Sequence, residues 1–260
     1  MDMKTREQVT TYQVWDRSTR IFHWLNAVCV ILLMAVGIVI INAKTLGIEG
    51  EAKILLKTVH VYIGFVFIAN LLWRIAWGFI GDHYSRWKTI LPFNKKFMAE
   101  LRDYLKHFNS DTKQHYLGHN PAARVMITAI FILLTFQAIT GLILAGTDLY
   151  LPPFGHEFKE IVMNAGEDHS KIADVVAGNK DNLDPEGYQR MRKIREPFIE
   201  IHEFSFYALL VAMVLHIIGV VVTEIKEGDS IVSAMITGKK HMKKPPVDYP
   251  HEDKSNIKLH

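Results

Sequence analysis

Four of the 13 histidines lie inside apolar stretches of the chain, at His23, His60, His202 and His216. An ionisable side chain within a membrane span is costly and by default indicates a function. A buried imidazole can bind a metal, relay protons or hydrogen-bond a neighbouring helix. Eight others lie in polar segments, where we expect solvated side chains: His83, His107, His115, His156, His169, His241, His251 and His260.

The apolar stretches are long enough to cross a membrane. A bilayer core about 30 Å thick requires roughly 20 helical residues, and four segments meet this length: 21–41, 58–80, 122–146 and 201–223. The chain is 49% hydrophobic and 22% charged, which indicates a membrane protein with sizeable polar segments. We therefore predict an all-α membrane protein whose domain, residues 21–223, is a four-helix bundle. Residues 1–20, 147–200 and 224–260 form its N-terminus, long third connection and tail.

Lysine and arginine indicate the orientation, because they favour the cytoplasmic side of a membrane. The N-terminus, the second connection with Arg124, and the tail hold 19, against 10 in the first and third connections. This predicts cytoplasmic termini, a periplasmic third connection and a multi-pass protein of the bacterial inner membrane. The basic residues between Arg190 and Arg195 oppose this orientation, but they lie in a long connection, where the rule is weak. Nothing in the basicity indicates nucleic-acid binding.

Helical spacing sorts the four histidines into two pairs. His202 and His216 are fourteen residues apart, which places them within about 40° of one helix face and about 21 Å apart along the axis. With cytoplasmic termini, His60 and His202 lie at periplasmic depth, whereas His23 and His216 lie at cytoplasmic depth. We expect each pair to meet across two helices.

Two facing imidazoles suit the axial positions of a haem iron, so two pairs predict two haems b. Cys29 is the only cysteine, which excludes a Cys-x-x-Cys-His attachment or an iron–sulfur cluster held by this chain alone. A structural zinc site requires about four N or S ligands. A proton relay, or a haem-free metal or proton transporter, would usually recruit intramembrane carboxylates, which the span interiors lack.

The chain resembles the b-type cytochrome subunit of membrane-bound nickel–iron hydrogenases, within the bacterial cytochrome b561-like group. The likeness covers nearly the whole chain and is carried by RIFHWLN, VHVYIGFVFIANLLWRIAWGFIGDHYSR, GHNPAAR and DSIVSAMITGKK. The resemblance implies the same four histidines as haem ligands. Family members often carry a further histidine where this chain has Ile199, and the connection 148–200 is unlike theirs.

The resemblance also implies an electron-transfer subunit with no catalytic residue of its own. Electrons would come from a periplasmic partner, either a hydrogenase small subunit or another iron–sulfur or multihaem protein. They would reduce menaquinone or ubiquinone near the cytoplasmic face. In the alternative, quinol is oxidised here, and electrons leave for a periplasmic multihaem cytochrome c or a terminal reductase.

Two arginines could contact haem propionates. Arg74 lies fourteen residues after His60, on the same face and at the depth of the His23/His216 pair. Snorkelling to the headgroups is the alternative for Arg74 and for Arg20. Five small or polar residues in the spans could allow close porphyrin approach or hydrogen-bond between helices: Gly37, Gly64, Gly219, Gln137 and Thr140.

His119 and Asn120 lie at the predicted cytoplasmic end of the third span. A quinone requires an apolar slot with a hydrogen-bond donor or proton source near one carbonyl. The family is similar to membrane formate dehydrogenase cytochromes, whose quinone binds beside the inner haem, and this implies His119 and Asn120 as quinone contacts. Alternatively, Asn120 simply caps the helix that Pro121 begins.

Overall fold

The computed structural model of the chain describes residues 9–110, 112–163, 169–179, 183–249 and 258–259. The elements are β1 (Thr10–Gln13), α1 (Arg17–Ile41), α2 (Gly50–Ile80), α3 (Trp87–Ile90), α4 (Phe97–His107), α5 (Pro121–Leu149), α6 (Gly155–Val162), α7 (Pro185–Glu227), α8 (Ile231–Thr237), β2 (Lys239–Met242) and β3 (Lys258–Leu259). Short 3₁₀ helices cover His83–Ser85 and His169–Asp174. Helices α1, α2, α5 and α7 are each long and apolar enough to cross a membrane. The predicted fold class is confirmed, and each predicted span lies within one of these helices.

Short polar side chains fix the starts of three long helices. Asp16 Oδ1 accepts the Thr19 N–H at 2.7 Å before α1, and Asn120 Oδ1 accepts the Ala123 N–H at 2.8 Å before α5. At α7 the Gly187 N–H donates to Asp184 Oδ2 at 2.8 Å. These bonds satisfy amide groups that a helix start leaves unpaired.

The chain divides into two compact units, of which the first comprises Met1–Trp24, Leu72–Phe131 and Leu210–His260. Its strands form an antiparallel sheet in the order β2-β1-β3, with Thr10 opposite Met242 and Leu259. Gly238 ends α8 in the left-handed region, at φ 83°, where most side chains would be strained. The sequence did not predict this sheet.

Connecting segments of the first unit also carry buried groups. The amphipathic helix α4 buries Phe97 and Tyr104. His115 is only 4% exposed, and its Nδ1 lies 3.1 Å from Oδ2 of Asp229, which is 1% exposed. The prediction of a solvated side chain was therefore wrong for His115. His251 and His260 lie outside the described residues.

The second unit comprises Leu25–Leu71 and Ile132–Leu209. Its connection after α5 is partly helical, because α6 and the first turns of α7 both precede residue 201. Apolar side chains from these helices and from the segment between them form a core cluster of Phe158, Val162, Met163, Val175 and Met191. Helix α7 thus begins sixteen residues before the predicted span, and this part of the connection is ordered by apolar packing.

Candidate functional site

His60 on α2 and His202 on α7 face each other in the second unit. Their ring centroids are 6.4 Å apart, and the ring planes differ by 72°. A metal–nitrogen bond of about 2 Å puts each imidazole centroid roughly 3 Å from the metal, so two axial rings lie about 6 Å apart. The observed separation therefore suits two axial ligands of one iron.

Hydrogen bonds from α5 fix the orientation of His202. The Thr140 hydroxyl donates to the Phe136 carbonyl at 2.6 Å, which leaves Thr140 Oγ1 as the acceptor for His202 Nδ1–H at 2.7 Å. Gln137 Nε2 donates to the His202 carbonyl at 2.9 Å and to Ser205 Oγ at 3.0 Å. With its proton on Nδ1, the ring presents an unprotonated Nε2, as a metal ligand must.

Glycines bring neighbouring helices close to these imidazoles. A Cβ atom at Gly37 would lie 3.5 Å from His60 Cε1, and one at Gly141 would lie 3.5 Å from His202 Cε1. At Gly64 a Cβ would meet no atom within 4 Å. The missing side chains at Gly37 and Gly141 thus leave space beside the two rings, which is what a flat macrocycle between helices would require.

A cavity of about 390 Å³ in the second unit contains both histidines on its wall. Most of its lining is apolar, including Met34, Phe65 and Leu134. Cavities of this size and character are typical of cofactor sites. His60 Nδ1 is buried and has no hydrogen-bond partner among the described residues. Together with the ring separation and the glycines, these features fit a bis-histidine haem.

The same cavity has a charged rim that sequence reasoning missed. Lys57 Nζ lies 2.5 Å from Asp148 Oδ2, and Arg195 Nη2 donates to the same oxygen at 3.0 Å. Arg195 Nε also contacts Asp148 Oδ1. One signal was available, because Lys57 lies one turn before His60 and Arg195 two turns before His202. Sequence reasoning also missed Gly141, because α5 carries no candidate histidine from which its position could be counted.

The second histidine pair lies in the first unit. His23 is on α1 and His216 on α7, and they are close enough to interact electrostatically. His23 Nδ1 is buried, with no hydrogen-bond partner in the part of the chain that the structure describes. The two side chains are half-buried. Their role as a second ligand pair stays a prediction.

Arg74 is buried in an aromatic cage of the first unit. Its guanidinium carbon lies 4.9 Å from the Trp87 ring centroid, 5.6 Å from that of Phe131 and 5.8 Å from that of Phe22. Nη2 donates to the Ser85 carbonyl at 3.0 Å, whereas Nη1 is buried with no hydrogen-bond partner among the described residues. Because only 3% of Arg74 is exposed, the snorkelling alternative is wrong.

Arg20 is held differently from Arg74. Its Nη1 donates to the Ile236 carbonyl at 2.5 Å, which ties α1 to α8. Its Nε is buried and has no hydrogen-bond partner within the described ranges. The hydrogen bond to Ile236 supports a structural role for Arg20. Of the two nitrogens described here, only Nε is left to donate a hydrogen bond to a haem propionate.

The two residues expected to contact quinone also differ from each other. Asn120 caps α5, so the capping alternative holds for its side-chain oxygen. The His119 ring packs against Trp15, with centroids 4.7 Å apart. Burial, together with the positive charge of Arg74, lowers the pKa of His119 to about 3. This imidazole is therefore neutral at pH 7 and can accept or donate one hydrogen bond.

Comparison with known proteins gives a family match over most of the chain. The model of the family described as prokaryotic cytochrome b561 matches residues 14–238. No solved structure matches the chain.

The curated relatives carry related names. One is the "Probable Ni/Fe-hydrogenase 1 B-type cytochrome subunit" of Escherichia coli K12, 34% identical over 52% of this chain and 60% of its own length. The "Probable Ni/Fe-hydrogenase B-type cytochrome subunit" of Bradyrhizobium diazoefficiens is 27% identical over 90% of this chain and 87% of its own. The protein of that name from Rhodobacter capsulatus is 26% identical over 93% and 86%. This chain thus spans less than two thirds of the first relative and most of the other two.

Proposed function

Because the chain belongs to the prokaryotic cytochrome b561 family, we propose that it is a di-haem b-type cytochrome subunit. It carries electrons across the membrane between a periplasmic redox partner and the quinone pool, and quinone is reduced near the cytoplasmic side. The first candidate for the partner is a nickel–iron hydrogenase, because curated relatives are named as its cytochrome subunits. The facing of His60 and His202 at 6.4 Å is the observation that carries this proposal.

The bound haems supply reversible one-electron transfer, and the chain's residues hold them. His60 and His202 would hold the haem of the periplasmic site, and His23 and His216 that of the cytoplasmic site. Thr140 keeps the proton of His202 on Nδ1, so that Nε2 would be free to bind the iron. The apolar wall excludes water and so favours the less charged reduced state.

Arg74 is the proposed anion contact of the cytoplasmic site. Its aromatic cage and its bond to Ser85 fix the guanidinium, and Nη1 is left to donate to a propionate. Arginine suits this task because its planar group donates to a carboxylate with little loss of side-chain freedom. Arg20 contributes by holding α8 against α1.

The quinone site is proposed at the start of α5. His119 is neutral at pH 7, so it can donate a hydrogen bond to a quinone carbonyl without the cost of burying a charge. Asn120 fixes the helix start through Ala123. Quinone uptake of protons on the cytoplasmic side, with electrons arriving from the periplasm, would add to the proton-motive force.

Haem counting tests the proposal directly. Dithionite-minus-air spectra and pyridine haemochrome assays are made on the wild type, His23→Ala, His216→Ala, His60→Ala and His202→Ala. We expect about two haems b in the wild type. The first two variants should lose the same haem, and the last two should lose the other. A folded wild type without haem, or four variants with an unchanged count, would refute the proposal.

A further inference from the structure

Lys57, Asp148 and Arg195 form an ion cluster on the wall of the His60/His202 cavity. The three side chains come from α2, α5 and α7 and are 25%, 16% and 27% exposed. They are thus partly shielded from water, where charges interact more strongly than on an open surface. We refer to them as the rim cluster.

Helix geometry aims both cations at the space between the histidines. Arg195 precedes His202 by seven residues, which places it within about 20° of the same helix face and about 10 Å further along the axis. Lys57 precedes His60 by three residues, about one turn. On each helix, the positive group therefore lies near the proposed ligand, on its N-terminal side.

The charges of the rim cluster do not balance. Two cations share one carboxylate in the cluster, and Lys53 and Glu203 also line the cavity, so its lining holds three cations against two carboxylates. Asp148 also lies near the C-terminus of α5, where the helix dipole disfavours a negative charge. Its place there is explained if it holds Lys57 and Arg195 together, leaving a positive excess toward the cavity.

We propose that Lys57 and Arg195 bind the propionates of the haem that His60 and His202 ligate, and that Asp148 is their positioning residue. This inference rests on the proposed function. A propionate is a carboxylate at the edge of an otherwise apolar ring, and it matches a cavity with an apolar wall and a cationic rim. Both cations favour the electron-rich reduced state, so the rim cluster raises the midpoint potential of this haem.

Redox titration of the purified protein in detergent tests the inference. The transition of this haem is assigned first, as the one that His60→Ala removes. Lys57→Gln and Arg195→Gln should each shift its midpoint potential downward, and Asp148→Asn should accelerate haem loss although it makes the cluster more positive, because both cations lose the carboxylate that positions them. The other transition should stay in place. Loss of haem to excess apomyoglobin should accelerate about tenfold in each cation variant, the ratio expected for one charge-assisted hydrogen bond.

Lys193→Gln is the matched control. It removes the same charge from an exposed position two residues from Arg195, and Lys193 does not line the cavity. Arg195→Lys keeps the charge and should restore most of the potential. Equal shifts in Lys193→Gln and Arg195→Gln would overturn the inference, and so would loss of thermal stability without a shift in potential. A wild type without haem would overturn the proposed function instead, a result visible before any variant is made.

Discussion

The hydrogen bond between Thr140 and His202 gives the sharpest test of the site. Thr140→Val keeps the shape of a side chain that is only 3% exposed and removes its hydroxyl. The hydroxyl accepts His202 Nδ1–H at 2.7 Å. In the variant this buried donor has lost its acceptor, and the ring is free to turn or to move its proton to Nε2.

The expected magnitude follows from that lost acceptor. A buried polar group left unpaired costs about 1–3 kcal/mol. Loss of the partner that orients a metal-bound histidine typically weakens metal affinity about 10–100-fold. Since tenfold corresponds to about 1.4 kcal/mol, the two figures agree. We therefore expect haem loss from the His60/His202 site to accelerate by about 10–100-fold in Thr140→Val.

The assay measures transfer of haem from the purified protein in detergent to excess apomyoglobin, with total haem counted as pyridine haemochrome. Thr128→Val is the matched control, because Thr128 lies on the same helix and bonds the Arg124 carbonyl four residues back at 2.8 Å. No hydrogen bond to a histidine is described for Thr128. Thr140→Ser keeps the hydroxyl and should behave nearly as the wild type.

Two results would refute this reasoning. One is the same rate of haem loss in Thr140→Val and Thr128→Val, which would show that the hydroxyl acts only on its own helix. The other is Thr140→Ser matching Thr140→Val, which would show that the methyl group matters and the hydroxyl does not.

Three further predictions follow from other contacts. Arg74→Met should lower the free energy of unfolding by about 2–3 kcal/mol, because it removes a charged hydrogen bond to Ser85 and the attraction of three aromatic rings. Thermal unfolding in detergent measures this change, and a variant as stable as the wild type would contradict it. Gly64→Phe should lose one of two haems at unchanged helix content, since a Cβ there enters open space beside the cavity wall, whereas Gly64→Ala should keep both. Burial opposes ionisation of Asp16, but hydrogen bonds from Ser85, Thr19 and Trp77 outweigh it and lower its pKa. The stability that Asp16 contributes is therefore present above its unfolded pKa of about 4 and is lost as pH falls through the lower folded value. At pH 7, Asp16→Asn should unfold at a lower temperature than the wild type, and the difference should shrink below pH 4; a constant difference would contradict this.

Local patterns predicted the features that depend on nearby residues. Hydropathy and length located the four long helices, because a membrane span is a continuous run of sequence. The helical repeat placed His202 and His216 on one face of α7. The structure brings His60 and His202 together, and their role as haem ligands stays a prediction for the haem count to test.

Features that join distant segments were missed. Strand β1 pairs with β2 more than 220 residues later, and four-residue strands carry little pattern of their own. His115 looked like a solvated loop residue until Asp229, 114 residues away, placed a carboxylate beside it. The rim cluster combines three helices, and spacing along one chain cannot show which carboxylate meets which cation.

The two proposed ligands His60 and His202 are not equivalent. Thr140 orients the His202 ring and Gln137 binds its carbonyl, whereas Nδ1 of His60 has no hydrogen-bond partner in the described part of the chain. His202 is therefore preorganised, and His60 loses more rotational freedom on ligation. An imidazole whose N–H is hydrogen-bonded is also the more basic donor. His202 should thus form the stronger bond to iron, and His60→Met should retain more haem than His202→Met.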